Sequence, residues 1–176
     1  MIALLVVVLT LLVTGYVFFW NQQYADHTVD SVDLKKYSGK WYEIASFPNW
    51  FEKNCFCTTA EYTLLDDFVQ VTNSCRKGSP EGKLAVARAK ARPVPNSNNS
   101  QLKVQFKWPF KGDYWVIALD EKYRYVVVGH PKKKYLWILS RTPELDDDVY
   151  QSLLRIAADK GYDVNRLQRT DQSCPE

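Results

Sequence analysis

Between residues 40 and 140 the chain is a succession of short apolar runs separated by turn residues, and no other feature constrains its fold as much. Residues 101–107 alternate strictly: Leu102, Val104 and Phe106 share one face and polar residues the other, the period of a half-buried strand. Comparable runs occupy residues 41–47, 57–65, 68–75, 84–92, 114–119, 124–129 and 135–140. Asp66-Asp67, Pro80-Glu81-Gly82, the polar stretch 93–100, Lys111-Gly112-Asp113, Asp120-Glu121-Lys122 and the loop 130–134 separate them, which are turn chemistries. Eight such strands predict an all-β antiparallel meander that removes its edges by closing into an up-and-down barrel. An eight-stranded barrel is filled by its own side chains or holds one small ligand. The pattern alone leaves a filled barrel, a β-sandwich and an open cavity standing.

A helix is expected from Thr142-Pro143-Glu144, where Thr142 can cap, Pro143 suits the first helical position and the acids Asp146-Asp147-Asp148 favour the helix dipole. Leu145, Val149, Leu153, Ile156 and Ala157 give it an apolar face, and Gly161 can end it. Residues 164–168 read as a last strand. On 114–119 both parities are apolar, Tyr114, Val116 and Ala118 against Trp115 and Ile117, so the helix is expected to cover Trp115 and Ile117. Tyr135, Trp137, Leu139 and Arg141 share one parity of the last barrel strand. Glu43 shares the parity of Trp41 and is expected to point inward, where an unpaired carboxylate is costly.

Residues 2–20 carry no charge. As a helix they would rise about 28 Å, close to a bilayer's hydrocarbon thickness. Residues 1–21 therefore read as a membrane anchor or a signal segment, 22–31 as a linker and 32–176 as the barrel with its helix and tail. Either reading puts the barrel on the extracytoplasmic side: tethered at a periplasmic, outer-membrane or cell-surface location, or secreted if the segment is cleaved. The four cysteines, Cys55, Cys57, Cys75 and Cys174, read as two disulfides in such a compartment. Their spacing lacks the two close pairs of a zinc site, and four cysteines allow three pairings. No glycine-rich phosphate motif is present and the net charge is only +3, so neither a nucleotide cofactor nor nucleic acid is indicated, and no metal is expected. Lys132-Lys133-Lys134 reads as a solvated turn.

Gly39-Lys40-Trp41-Tyr42-Glu43 at the first strand, Asp120-x-x-Tyr123 between the sixth and seventh, and Ser140-Arg141-Thr142-Pro143 after the eighth resemble the three motifs of the lipocalin family. The resemblance runs from about 32 to 167, and the flanking residues look like the bacterial lipocalin and apolipoprotein D subgroup. Many bacterial members carry a lipid-modified cysteine at the N-terminus; this chain has an apolar segment there instead. The resemblance implies that Gly39, Trp41, Tyr123 and Arg141 are structural, Trp41 and Arg141 packing together at the closed barrel end. It implies a pocket lined by Tyr62, Asn73, Phe106, Tyr114 and Trp137, with Val104 and Leu139 joining by strand parity. Asn73 is the polar residue expected to orient a head group. A bond from Cys57 to Cys174 is implied in the same way, leaving Cys55 with Cys75.

The function implied is binding of a small apolar ligand, a fatty acid or a (lyso)phospholipid, for lipid storage, scavenging or transport at a membrane by a monomer or weak homodimer. No catalytic residue is expected. The alternatives are a lipocalin-type enzyme using a cavity cysteine or Glu43, and a barrel that acts through protein contacts alone.

Overall fold

The computed structural model describes residues 27–107 and 109–175. The expected anchor, residues 1–21, and the first part of the linker lie outside them. A short helix α1 (Leu34–Tyr37) precedes eight strands: β1 (Gly39–Ser46), β2 (Cys55–Leu64), β3 (Val69–Lys77), β4 (Lys83–Pro93), β5 (Gln101–Lys107), β6 (Phe110–Leu119), β7 (Tyr125–Gly129) and β8 (Leu136–Ser140). Helix α2 (Asp147–Asp159), a 3-10 turn (Val164–Arg166) and a two-residue strand β9 (Gln168–Arg169) follow. From β1 to β8 each strand pairs antiparallel with its sequence neighbour, and β1 pairs with both β8 and β2, so β1–β8 close on themselves, while β9 adds to β1. This is the expected up-and-down barrel with one helix outside it.

Closure sorts the apolar residues into two cores. Trp41, Val71, Leu102, Val116, Val126 and Val128 pack inside, at the end that α1 seals through Tyr37. Trp115, Ile117, Val127, Leu136 and Ile138 point outward and are covered by Tyr150, Leu153 and Ala157 of α2. That is why β6, β7 and β8 are apolar on both parities: one face meets the interior and the other the helix. Each such Leu, Ile or Val burial contributes about 1.5–3 kcal/mol.

Four expectations need correction. The helix starts at Asp147, not at Thr142. The residue before a proline is pushed toward extended backbone, and the Thr142 hydroxyl is committed to the Glu144 carbonyl (2.7 Å), so residues 142–146 form a turn. Ile156 is half-exposed, and Tyr150 stands in the helix's buried face instead. Ala118 leaves the parity of Tyr114 and Val116 because a bulge between Val116 and Ala118 shifts the register against β7, which moves it to the helix side. The last segment, expected as a strand over 164–168, is the 3-10 turn followed by β9. Gly161 does sit just past the helix at φ +81°, the left-handed conformation that glycine adopts without cost.

Candidate functional site

The closed end is built first, because it fixes the cavity floor. The indole of Trp41 is fully buried and donates to the Tyr37 carbonyl (2.8 Å). The Arg141 guanidinium lies 3.9 Å from its ring centroid. Arg141 also donates to five backbone carbonyls: Lys36 (2.8 Å), Tyr37 (3.1 Å), Ser38 (3.0 Å), Lys40 (2.9 Å) and Tyr123 (3.2 Å). One side chain thereby ties α1, β1 and the β6–β7 turn together, a use of the planar fork that lysine cannot imitate. Gly39 is at φ +97°, and a Cβ there would stand 3.3 Å from Arg141 Nη1. The Tyr123 hydroxyl accepts from the Asp33 backbone N–H (2.9 Å). The Arg124 guanidinium beside Asp120 (2.8 Å) holds that carboxyl well below the ordinary carboxylate range.

Above this plug the barrel is hollow. A cavity of about 620 Å³ opens between the strands, within the usual size of small-molecule sites. Tyr62, Asn73, Val104, Phe106, Tyr114, Trp137 and Leu139 all line it. Tyr114 stands at the floor, its hydroxyl bonded to those of Tyr37 (2.6 Å) and Tyr62 (2.8 Å). Burial pushes all three phenols above their ordinary pKa, so the floor is neutral and its hydroxyls are mutually satisfied. Among the described residues no three metal-ligating side chains come together.

The mouth carries a different chemistry. Trp50 and Phe51 of the β1–β2 loop and Phe106 and Phe110 of the β5–β6 hairpin border the cavity, with Trp50 82% and Phe110 76% exposed. Lys107, Lys111 and Lys134 line the same mouth. A chain of ring contacts runs inward from the lip: Trp50 to Phe51 (5.6 Å), Phe51 to Tyr135 (5.7 Å) and Tyr135 to Trp137 (5.7 Å).

The cavity wall holds two carboxyl groups. Glu43 points inward, as expected, and its Oε1 accepts from Thr170 (2.5 Å) and Ser46 (3.0 Å). Burial, then the nearby Glu52 carboxylate, pushes it up to about 8. Glu52 folds in from the β1–β2 loop, accepting from the Trp137 indole (3.2 Å) and from the Asn49 amide. Burial raises its pKa as well. The pair sits beside a seam: β1 and β2 stay in register only to Tyr42–Thr59. The C-terminal tail fills the gap beyond. Gln172 donates to the carbonyls of Glu43 (2.7 Å) and Thr58 (3.0 Å), Cys57 N–H donates to Asp171 (2.7 Å), and Cys57 is bonded to Cys174. Cys55 and Cys75 form the other disulfide.

Glu52, Thr58 and the lip residues Trp50, Phe51 and Phe110 escape the sequence reading, while Phe106 is the lip aromatic it places. Glu52 and Trp50 sit in a loop without periodicity, so nothing in the pattern turns one inward and the other out. Thr58 lies within a bulge of β2 between Phe56 and Thr59, which breaks the alternation that would have placed it. Two adjacent aromatics, Trp50-Phe51, in a stretch without strand alternation are the signal the sequence offers.

The lipocalin-like domain model matches residues 32–172. The chain is 38% identical over 154 residues to temperature-induced lipocalin-1 of Arabidopsis thaliana, covering 82% of each protein. It is 43% identical over 141 residues to the outer membrane lipoprotein Blc of Citrobacter freundii, covering 79% of this chain and 78% of that one. Against mouse apolipoprotein D it is 33% identical over 159 residues, covering 84% and 81%. Among solved structures, insecticyanin from the tobacco hornworm Manduca sexta superposes with a TM-score of 0.67 at 23% identity, covering 82% of this chain and 83% of that one. With the family model spanning the barrel, the floor motif and the tail, this chain belongs to the lipocalin family.

Proposed function

We propose that this lipocalin holds the acyl chain of a fatty acid or (lyso)phospholipid in its barrel and exchanges it at a membrane surface. The observation that carries the reading is the cavity: about 620 Å³, closed below by the tyrosine floor and walled by Val104, Trp137 and Leu139. The fold and its apolar interior support a small hydrophobic ligand, and each buried CH₂ is worth about 0.8 kcal/mol before ordering costs. The lysines at the mouth favour an anionic head group there. The lip aromatics, with basic residues behind them, suit contact with a lipid surface, and the Trp50–Trp137 ring series gives a sliding chain a continuous apolar path.

Two disulfides support an extracytoplasmic barrel. No helix among the described residues is long and apolar enough to cross a membrane; the apolar segment 1–21, which would act as anchor or signal, lies outside them. With all four cysteines oxidised, the thiol version of an enzyme has no nucleophile, which favours binding over catalysis. Titration of the purified protein with a fluorescent acyl probe tests the reading. A saturable 1:1 enhancement that long-chain fatty acid or lysophospholipid displaces is expected; no saturable binding overturns it.

A further inference from the structure

The two ends of the barrel make opposite demands on how it meets a membrane. Lipid exchange needs the mouth at the surface, yet the chain enters at the other end. Thr28 accepts from the Ser100 hydroxyl (3.2 Å), Val29 N–H donates to the Val116 carbonyl (2.9 Å) and Val32 N–H to that of Asn98 (2.9 Å). Residues 28–32 are thereby pinned beside the β4–β5 loop and β6, at the closed end. Residues 21–26, which separate them from the uncharged segment, reach about 20 Å fully extended. β4 spans eleven residues between the two ends, which at barrel tilt is roughly 25–30 Å of height. With residues 1–21 as the anchor, a barrel standing mouth-down on the bilayer therefore leaves the linker short. A barrel lying on its side brings both ends to the surface.

One side is equipped for that contact. The positions of β4 that alternate with the buried Ala89 and Ala91 point outward and carry Leu84, Val86, Arg88, Lys90 and Arg92. All five are exposed, Leu84 at 54% and Val86 at 46%. Exposed Lys107 and Lys111 continue the cations onto β5 and β6, and Asp113 beside them is paired with Lys103. β4 and β5 pair only over Lys90–Pro93. From Ala89 back to Lys83, β4 has no β5 partner among the described residues, so its edge amides can donate to phosphate oxygens at head-group depth. Phe106, the next residue along β5 after that pairing, is 53% exposed and with Phe110 carries the apolar surface round to the mouth. Apolar surface of this extent, rimmed by charge, marks an interaction site. Helix α2 packs over β6–β8 and β1, opposite β4 in an eight-stranded ring. It begins at Asp146, Asp147 and Asp148, which an anionic surface repels.

We propose that the β4–β5 side is a membrane-docking surface, on which the barrel lies along an anionic phospholipid bilayer with Leu84 and Val86 in the interface and Arg88, Lys90 and Arg92 over lipid phosphates. This goes beyond a lip that touches the membrane, because it fixes the orientation of the whole barrel. It rests on the membrane half of the proposed function and not on the ligand. Each basic side chain near such a surface adds to the attraction, and the lip aromatics reach the same plane from the end of the barrel.

The test uses the full chain reconstituted in vesicles of equal parts phosphatidylcholine and phosphatidylglycerol that contain a spin-labelled lipid. With all four native cysteines oxidised, one added cysteine takes one fluorophore: Val86→Cys on β4, Asn96→Cys in the β4–β5 loop, Lys132→Cys in the β7–β8 loop or Arg155→Cys on α2. Quenching at 86 and 96 is expected to exceed that at 132 and 155 severalfold. Adding Arg88→Glu/Lys90→Glu is expected to lower the docked-to-undocked ratio about tenfold or more, read as lost quenching at 86 and 96. Vesicles of phosphatidylcholine alone should have the same effect on the unreversed protein, so the result does not depend on how the variant folds. Quenching at 132 as strong as at 86 means mouth-down docking and overturns the surface, as does quenching at 86 and 96 that survives both the charge reversal and the neutral vesicles. Quenching at none of the four positions removes membrane contact itself and the surface with it, while acyl-probe titration of the same protein tests the ligand reading separately.

Discussion

Arg141 stacks its guanidinium 3.9 Å from the Trp41 ring while its nitrogens reach carbonyls on α1, β1 and the β6–β7 turn. The contact is therefore a clamp on the closed end, and the cavity floor stands on it. Trp41→Ala removes a fully buried side chain and is expected to cost about 3–5 kcal/mol. Arg141→Lys keeps the charge but loses the fork, and is expected to cost about 2–3 kcal/mol from carbonyls left unpaired. Urea unfolding followed by tryptophan fluorescence measures both; a midpoint unchanged in either variant contradicts the clamp.

The tail is the second closure. Cys57–Cys174 spans 117 residues, and a crosslink of that length is worth about 4–5 kcal/mol on the chain-entropy model. Cys55–Cys75 spans 20 and is worth about 3 kcal/mol. The double variant Cys57→Ser/Cys174→Ser is therefore expected to lose more stability than Cys55→Ser/Cys75→Ser. It should also show faster amide exchange at residue 57 and at Thr170, whose N–H groups donate to the Asp171 and Ile44 carbonyls across the seam. Equal losses, with no local change in exchange, would mean the tail does not close the seam.

The motifs at the closed end were legible in the sequence because they are local and chemically specific. Glycine is needed at 39, a large aromatic at 41 and a forked cation at 141, and each needs its own residue type. Strand number and the covered face of β6 followed from periodicity. What periodicity misses is register. The bulges at Phe56/Thr59, Glu43/Ala45 and Val116/Ala118 each slide a strand by a step, which moved Ala118 to the outer core and concealed Thr58. The Glu43–Glu52 pairing is carried by a loop whose course no local pattern encodes.

Glu43 couples folding to pH. Its proton is held up to about 8 in the folded protein against an ordinary 4.5, through burial and the facing Glu52 carboxylate. In the unfolded chain that proton leaves near the ordinary value. Between these two values the folded state binds more protons, so its stability falls as pH rises, levelling off above about 8. The accumulated loss is on the order of a few kcal/mol. Glu43→Gln is expected to flatten this slope while leaving the barrel intact. Thermal melts at half-unit pH steps from 5 to 9 would show it (about 2–4 °C per kcal/mol for a domain of this size), and a parallel slope in both proteins counts against Glu43 as the titrating group.

The lip predicts surface behaviour. Trp50→Ala/Phe110→Ala removes two exposed rings outside the cores, so folding stability should change by no more than about 0.5 kcal/mol. Sedimentation with vesicles containing anionic phospholipid should nonetheless fall severalfold, and 0.5 M salt should weaken the wild type further by screening the lysines. Undiminished sedimentation of the double variant would assign membrane contact to another part of the chain.

Filling the cavity is the sharpest check on the acyl reading, because it separates the interior from everything around it. Val104 and Leu139 both face the cavity, on different strands, and neither belongs to the clamp. Val104→Trp places a large ring in empty space instead of into packed atoms, so the usual overpacking cost of about 1–3 kcal/mol should be partly avoided and the melting temperature should stay near the wild-type value. The same ring occupies volume that a chain would need, and acyl-probe affinity is expected to fall at least tenfold. Leu139→Ala works in the opposite direction: it enlarges the cavity, costs about 2–3 kcal/mol of stability, and should leave probe affinity within about threefold, since a loss of that size corresponds to one methylene contact. A Val104→Trp protein that folds normally and still binds the probe like the wild type would place the ligand outside the barrel.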